Sequence, residues 1–86
     1  MPFLTDNDIN VTYGNLDKML LRLGYKHKQL NGAHAVYSNR SSMVAIKRAP
    51  KTHRVPAIVV SSVVTNIINS NIASLAKIKS VYADIA

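Results

Sequence analysis

Hydrophobic and polar residues alternate with two different periods along the chain, and the first period is helical. The pattern predicts a helix that starts after Thr12, a candidate N-cap, and ends at about Leu23, before Gly24, a candidate C-cap glycine. Asp17, near its start, suits the helix dipole. The apolar face of this helix recurs at i, i+3, i+4 and i+7, on Leu16, Met19, Leu20 and Leu23.

After Gly24 the period changes to two, which is typical of strands. Three strands are predicted, over Tyr25–Leu30, Ala33–Ser38 and Met43–Arg48. Asn31-Gly32 favours a tight hairpin turn, and Asn39–Ser42 forms the next turn, so the strands make an antiparallel meander. In the first strand, alternation predicts that Tyr25, His27 and Gln29 lie on one face. Lys26, Lys28 and Leu30 are then predicted on the other.

The last third of the chain returns to a helical period. Residues 49–56 contain two prolines and predict a loop. Residues 58–69 are rich in β-branched side chains, yet their apolar positions keep a helical spacing, so a helix is predicted. A third helix begins near Asn71 or Ser74, with its apolar face on Leu75, Ile78, Tyr82 and Ile85.

These elements predict an α+β fold with the layout of a double-stranded-RNA-binding domain. One face of the three-stranded sheet is covered by helices and the other stays open. The 86 residues have room for one domain, with an arm over 1–11, the core over 12–73 and a C-terminal helix over 74–86. The predicted core residues are Leu16, Leu20, Leu23, Val44, Ile46, Val64, Ile67 and Ile68.

The distribution of charge along the chain indicates a class of binding partner. The formal net charge is +7, and the stretch from Lys18 to Arg54 holds nine basic residues and no acidic one. A field of one sign attracts polyanions such as RNA or DNA, although a basic surface kept for solubility is the alternative. The chain has no cysteine, no signal-peptide pattern and no apolar run long enough to span a membrane, so we expect a protein of the cytoplasm.

Few residues are available for catalysis. The four carboxylates, three of them near the N-terminus, argue against a paired acid-base site or a two-metal site. His27, His34 and His53 lie on separate predicted elements without the spacing of metal ligands, so neither a metal nor another cofactor is expected. What remains is a histidine on a basic sheet, and His34 opens the second strand beside the hairpin turn.

An imidazole on such a surface fits RNA cleavage. The 2′-hydroxyl of RNA is an internal nucleophile, so the reaction needs a proton acceptor near neutral pH and positive charge around the phosphate. His34 is the candidate for proton transfer, although spacing alone leaves open a structural role in the hairpin or beside Val36. The cationic residues predicted to bind the RNA backbone are Lys26, Lys28, Arg40, Lys47, Arg48, Lys51 and Arg54.

A family resemblance agrees with this candidate. The segment Asn31-Gly32-Ala33-His34-Ala35-Val36-Tyr37, which follows a helix ending Leu-Arg-Leu-Gly-Tyr, resembles the Gly-Ser-His region of HicA-family toxins. The resemblance covers about residues 12–73. It implies an mRNA interferase with a double-stranded-RNA-binding-domain-like fold, an activity that depends on His34, and inhibition by a HicB-like antitoxin in a toxin–antitoxin complex.

The sequence departs from the family at two places. Ala33 stands where the family has Ser, and Pro50-Lys51-Thr52-His53 is one residue longer than the family's Pro-x-His. His53 therefore receives no catalytic role, and His27 and His53 are interpreted as surface histidines. Two alternatives stay open: a non-catalytic module that binds double-stranded RNA, and an inactivated toxin that survives as an interaction partner.

The polar face of the 58–69 helix is uncharged, which is unusual for a free surface. It consists of serine, threonine and asparagine: Ser61, Ser62, Thr65, Asn66 and Asn69. We expect an antitoxin or a second copy of the chain to cover it.

Overall fold

The computed structural model describes residues 11–30 and 32–85 of the chain. The three strands found there form one antiparallel sheet in the order β1-β2-β3. The α+β class is confirmed, and the element order is consistent with the layout of a double-stranded-RNA-binding domain. In chain order the elements are α1 (Tyr13–Arg22), β1 (Lys26–Leu30), β2 (His34–Asn39), β3 (Ser42–Lys47), α2 (Ala57–Asn69) and α3 (Leu75–Ile85).

Helix α1 is bounded by the two predicted capping residues. The Thr12 hydroxyl accepts a hydrogen bond from the Asn15 amide at 3.2 Å, which satisfies a backbone donor of the first turn. Gly24 follows the helix with φ of +95°, a conformation that a side chain would strain. The Asn39 side-chain amide donates to the Leu23 carbonyl at 3.0 Å, so the helix end is tied to the sheet.

The first strand departs from the predicted alternation at Lys28. His27 pairs with Tyr37, but Gln29 pairs with Val36, so the register changes at a bulge. The predicted alternation is therefore wrong beyond His27. One extra residue in a strand changes neither composition nor propensity, which is why the sequence did not reveal it.

The second hairpin turn is shorter than predicted. Asn39 pairs with Ser42, so the second turn consists of Arg40 and Ser41, and Arg40 takes a positive φ of 55°. This turn is tighter than the predicted four residues because both of its flanking residues join the ladder. The Asn31-Gly32 prediction falls partly on Asn31, which lies outside the described residues.

The segment between β3 and α2 is irregular, as predicted, and its main chain is bonded to the start of α1. The amide of Tyr13 donates to the His53 carbonyl and the amide of Gly14 to the Lys51 carbonyl, both at 3.0 Å. A Cβ on residue 14 would lie 3.1 Å from the Lys51 Cβ, so the glycine permits this close approach. We call residues 48–55 the basic loop.

The predicted N-terminal arm is only partly covered by the structure. Residues 1–10 lie outside the described residues. At residue 11 the expectation of little structure is wrong, because Val11 is 1% exposed and its carbonyl accepts a hydrogen bond from the Val55 amide at 2.8 Å.

The core lies between the sheet and the helices. Of the predicted core residues, Leu23 and Ile68 are partly buried at its margin and the other six are buried. The C-terminal helix belongs to this core, with Ile78, Val81 and Tyr82 buried in it. Within residues 11–30 and 32–85, no helix has both the length and the apolar character needed to cross a membrane. Further buried residues come from α1, the residue before β1, β2, the basic loop and α2: Met19, Tyr25, Tyr37, Val55, Val60 and Val63.

A chain of polar side chains, buried at its Tyr25–Ser42 end, connects the sheet to α2. The Tyr25 hydroxyl and Ser42 Oγ are 2.7 Å apart, and Ser42 Oγ donates to Asn66 Oδ1 at 2.8 Å. Because the Ser42 proton is used in that bond, Tyr25 is the donor in the first one. Asn66 Nδ2 then donates to the Met43 carbonyl at 2.9 Å. Asn66 is thus a structural residue, and the expectation of an uncharged, partner-covered face does not extend to it.

Candidate nucleic-acid interface

His34 lies at the start of β2 on the open face of the sheet. Its side chain is exposed, and its partner in the ladder is Lys47 on β3. Directly opposed side chains of antiparallel strands lie on the same face of the sheet, so His34 and Lys47 are neighbours there. An exposed imidazole beside an ammonium group is accessible to a polyanion.

The register also shows which of Lys47 and Arg48 lies on the face of His34, a choice that the sequence alone left open. Lys47 shares the face of His34 and also lines a cleft that opens on the helix side, and Arg48, the next residue along the chain, lines the same cleft. The Arg48 amide donates to the Ala33 carbonyl at 2.9 Å, so the ladder continues to the sheet end. Positive charge therefore stands on both sides of this end.

The predicted RNA-binding residues form two groups at opposite ends of the sheet. Lys47, Arg48 and Lys51 lie near His34, and Arg54 lies further along the basic loop. Lys26, Lys28 and Arg40 surround a depression that also contains Ser38 and Asn39, at the other end of β2. A strand of this length separates the two ends by roughly 17 Å, since each residue rises ~3.3 Å. All seven cationic side chains are exposed.

A cleft of about 250 Å³ opens between α1, the helix-facing side of the sheet and the basic loop. We call it the α1–loop cleft. Its walls are aromatic and apolar, and its charged residues comprise one carboxylate and three cations. The lining residues are Tyr13, Asp17, His27, Ala35, Tyr37, Ile46, Lys47, Arg48, Ala49 and Lys51.

Three side chains from three elements meet in this cleft. Asp17 of α1 accepts two hydrogen bonds on Oδ1, from the Tyr37 hydroxyl of β2 at 2.5 Å and from His27 Nε2 of β1 at 3.0 Å. The rings of His27 and Tyr37 also contact each other edge to face, with centroids 4.8 Å apart. The His27 side chain is 46% exposed, so a fixed imidazole remains open to solvent.

Tyr37 stays a hydrogen-bond donor over the whole physiological range. Burial, and then the hydrogen bond to Asp17 and the negative charge of that carboxylate, raises the pKa of the Tyr37 phenol well above its ordinary range. The phenol therefore keeps its proton and holds the carboxylate in place for His27. This arrangement orients an imidazole as carboxylate–histidine pairs do in acid-base sites.

Sequence reasoning missed this cluster. His27 is on the surface, as expected, but it is also held by Asp17, and Asp17 stands past the first turn of α1 rather than serving the helix dipole. A signal was present: Asp17 is the one acidic residue between Asp8 and Asp84, and it borders the apolar face, four residues after Tyr13 and three before Leu20. An isolated acid at that position in a basic chain indicates an internal partner.

The remaining histidine takes no part in either arrangement. His53 is exposed in the basic loop, where its carbonyl accepts a hydrogen bond from the Tyr13 amide and its amide donates to the Pro50 carbonyl. Within the described part of the chain, no three histidine, aspartate or glutamate side chains are grouped as metal ligands.

No protein-family model matches the chain, and neither a curated protein nor a solved structure matches it. The resemblance to HicA toxins therefore stays a prediction carried by the segment around His34. The chemistry that this surface can perform follows from its geometry: an exposed imidazole, the three cations Lys47, Arg48 and Lys51, and a carboxylate-held histidine in a cleft.

Proposed function

We propose that this chain is a HicA-type toxin, an mRNA interferase that cleaves RNA without a metal and uses His34 for proton transfer. The observation that carries the proposal is the position of His34, exposed on the open sheet face directly opposite Lys47. A base and a cation side by side are the two groups that internal attack by a 2′-hydroxyl requires.

In this mechanism the imidazole of His34 removes the proton of the 2′-hydroxyl as the oxygen attacks the adjacent phosphorus. The bond from phosphorus to the 5′-oxygen breaks, and the departing 5′-oxygen takes the proton back from the imidazolium, so that a 2′,3′-cyclic phosphate and a 5′-hydroxyl end form. Lys47 stabilises the negative charge that develops on the phosphoryl oxygens. The ammonium group is exposed and on the same face, so it can reach a phosphate that lies over His34. The other cationic residues hold the backbone on either side, which gives affinity without base specificity.

A toxin in the cytoplasm needs an inhibitor, and we propose a HicB-like antitoxin that covers the His34 face and contacts α2. The α2 helix contains no charged residue. Beyond Ala57 its exposed residues form one stripe at helical spacing, which begins at Ile58, 79% exposed, and continues through Ser62, Thr65 and Asn69. An uncharged exposed stripe suits a protein partner. Full solvent exposure of this stripe in the complex would contradict the contact.

The test is induction of the wild type, His34→Ala and His53→Ala in a bacterium, with growth and mRNA integrity followed in time. We expect His34→Ala to lose growth arrest, because removal of a general base costs ~10²- to 10⁴-fold in rate. His53→Ala, an exposed histidine outside the site, should arrest growth like the wild type. Equal arrest by the wild type and His34→Ala would refute the catalytic role.

The alternative is a non-catalytic module that binds double-stranded RNA, which the element order also accommodates. Purified protein decides between the two. A toxin shortens single-stranded mRNA in the presence of a chelator, whereas the binding module retains duplex RNA and leaves every RNA intact.

A further inference from the structure

The α1–loop cleft has the composition of a site for one nucleotide. Tyr13 and His27 supply accessible aromatic surface, the buried ring of Tyr37 backs His27, and Ala35, Ile46 and Ala49 add apolar lining. Unpaired RNA bases bind to proteins by stacking on such rings. The volume of about 250 Å³ lies just below the ~300–1,000 Å³ of typical small-molecule sites, so the cleft has room for a single base and not for several.

The charges of the cleft favour a phosphate. Lys47, Arg48 and Lys51 line it against a single carboxylate, Asp17, and that carboxylate already accepts hydrogen bonds from Tyr37 and His27. The cationic side chains are exposed at its rim, so they can contact a phosphate without burying an unpaired charge.

Geometry connects the cleft to the proposed cleavage site. Ala35 lines the cleft, while His34, the preceding residue on β2, is exposed on the opposite face of the same sheet end. Lys47 pairs with His34 and also lines the cleft. An RNA strand that passes around this end can contact both places.

We infer that the α1–loop cleft binds one unpaired nucleotide of the RNA, next to the phosphodiester at His34. The base stacks on the aromatic wall, where Asp17 and Tyr37 hold His27 in place, and the phosphate contacts Arg48 and Lys51. The identification of the ligand as RNA rests on the proposed function. Binding of a nucleotide in the cleft can nevertheless be measured without cleavage.

The test uses the full chain carrying His34→Ala, so that substrate is not consumed, and amide chemical shifts during titration with nucleoside monophosphates. We expect saturable shifts at Tyr13, His27 and Lys51. Adding Lys51→Gln or His27→Ala should weaken binding fivefold or more. Lys79→Gln, which removes an exposed cation on α3, is the matched control and should bind like its parent. Thermal unfolding of each variant confirms that it is folded.

Two further titrations identify what is recognised. The nucleoside without phosphate and inorganic phosphate alone should each bind more weakly than the nucleotide, because each contacts only half of the site. The inference is overturned if the shifts do not saturate at millimolar nucleotide, if they lie away from the cleft, or if inorganic phosphate binds as tightly as the nucleotide. If the nucleotide binds but the wild type cleaves no RNA, the proposed function fails and the cleft site stands.

Discussion

Asp17 connects three elements through one carboxylate oxygen. Its two hydrogen-bond donors, Tyr37 and His27, differ in how easily water can replace the bond to Asp17. Tyr37 is 5% exposed, so its hydroxyl has little access to water as a replacement partner. His27 is about half exposed and can exchange Asp17 for water. The hydrogen bond from Tyr37 is therefore the more important of the two for stability.

Tyr37→Phe should lower the free energy of unfolding at neutral pH by about 1–2 kcal/mol, because a hydrogen bond to a charged acceptor is lost while the ring stays. Urea unfolding of the two proteins measures the difference. An unchanged free energy of unfolding would show that the contact contributes nothing in solution.

The same pair of proteins carries a pH signature. The pKa of the Tyr37 phenol is raised in the folded state, so the unfolded chain releases this proton first as the pH rises. The stabilisation is complete below the ordinary tyrosine pKa of ~10 and declines above it, by up to roughly 1.4 kcal/mol per pH unit. The free energy of unfolding of the wild type should therefore approach that of Tyr37→Phe as the pH rises from about 9 to about 11, because the unfolded tyrosine ionises around its ordinary pKa of ~10. The other three tyrosines are present in both proteins and cancel.

Residue roles could be predicted only where the information was local. His34 stands out because a hairpin signal precedes it, and the structure places it on the open face. Asp17, His27 and Tyr37 are separated by ten residues in each step along the chain, and tertiary packing alone brings them together. Their contact depends on the angle of α1 across the sheet, which no local pattern encodes.

At the scale of elements, α2 is held to the sheet by polar as well as apolar contacts. Asn66 accepts from Ser42 and Ser70 and donates to the Met43 carbonyl. Ser42 is 2% exposed, so the loss of its acceptor would leave a buried hydroxyl unsatisfied. The polar chain therefore fixes how α2 lies on β3.

Asn66→Ala should destabilise the protein by about 1–3 kcal/mol, the cost of an unsatisfied buried polar group. Asn69→Ala is the matched control on the same helix, because Asn69 is exposed, and its effect should stay within ~0.5 kcal/mol. Thermal and urea unfolding of both variants provide the measurement. Equal effects would mean that the chain from Tyr25 to Asn66 is not a stabilising feature.

The elements themselves were predictable, because helical and strand periods differ and the capping residues mark the ends of α1. The β-branched α2 is helical as its period indicated, since Val60, Val63, Val64 and Ile67 bury one face. The bulge at Lys28 and the two-residue turn at Arg40 were not predictable. The bulge shifts the pairing of β1 by one residue, and several registers fit the same polar and apolar pattern. The turn extends the ladder by one pair, Asn39 with Ser42, without changing the register.

At the scale of the whole molecule, the seven cationic residues predicted to bind RNA are distributed over the two ends of one sheet. The run of basic residues in the sequence predicted a cationic surface, but its division into two groups follows from the antiparallel topology. Among the described residues, those at the end near His34 combine cations with that exposed histidine and the α1–loop cleft. If RNA contacts both ends, the cations of both ends contribute to the salt dependence of its binding affinity.

We expect the RNA affinity of the His34→Ala protein to fall as salt is added. The slope of log affinity against log salt should be proportional to the number of phosphates that the protein contacts. Lys47→Ala and Lys26→Ala, one from each end, should each reduce the slope of log affinity against log salt by about 1 or less. Lys79→Ala on α3 should leave it unchanged. Fluorescence anisotropy with labelled single-stranded RNA gives these slopes. Identical slopes for the parent and both sheet variants would place the RNA elsewhere.

The hydrogen bonds between the basic loop and the first turn of α1 have a consequence for how fast and how tightly a ligand is taken up. The bonds from Tyr13 and Gly14 to the carbonyls of His53 and Lys51 fix the wall of the cleft during folding. The conformational entropy of that wall is then already lost before any ligand arrives. A preorganised pocket of this kind should admit its ligand without an ordering step, so association would be limited by diffusion and charge.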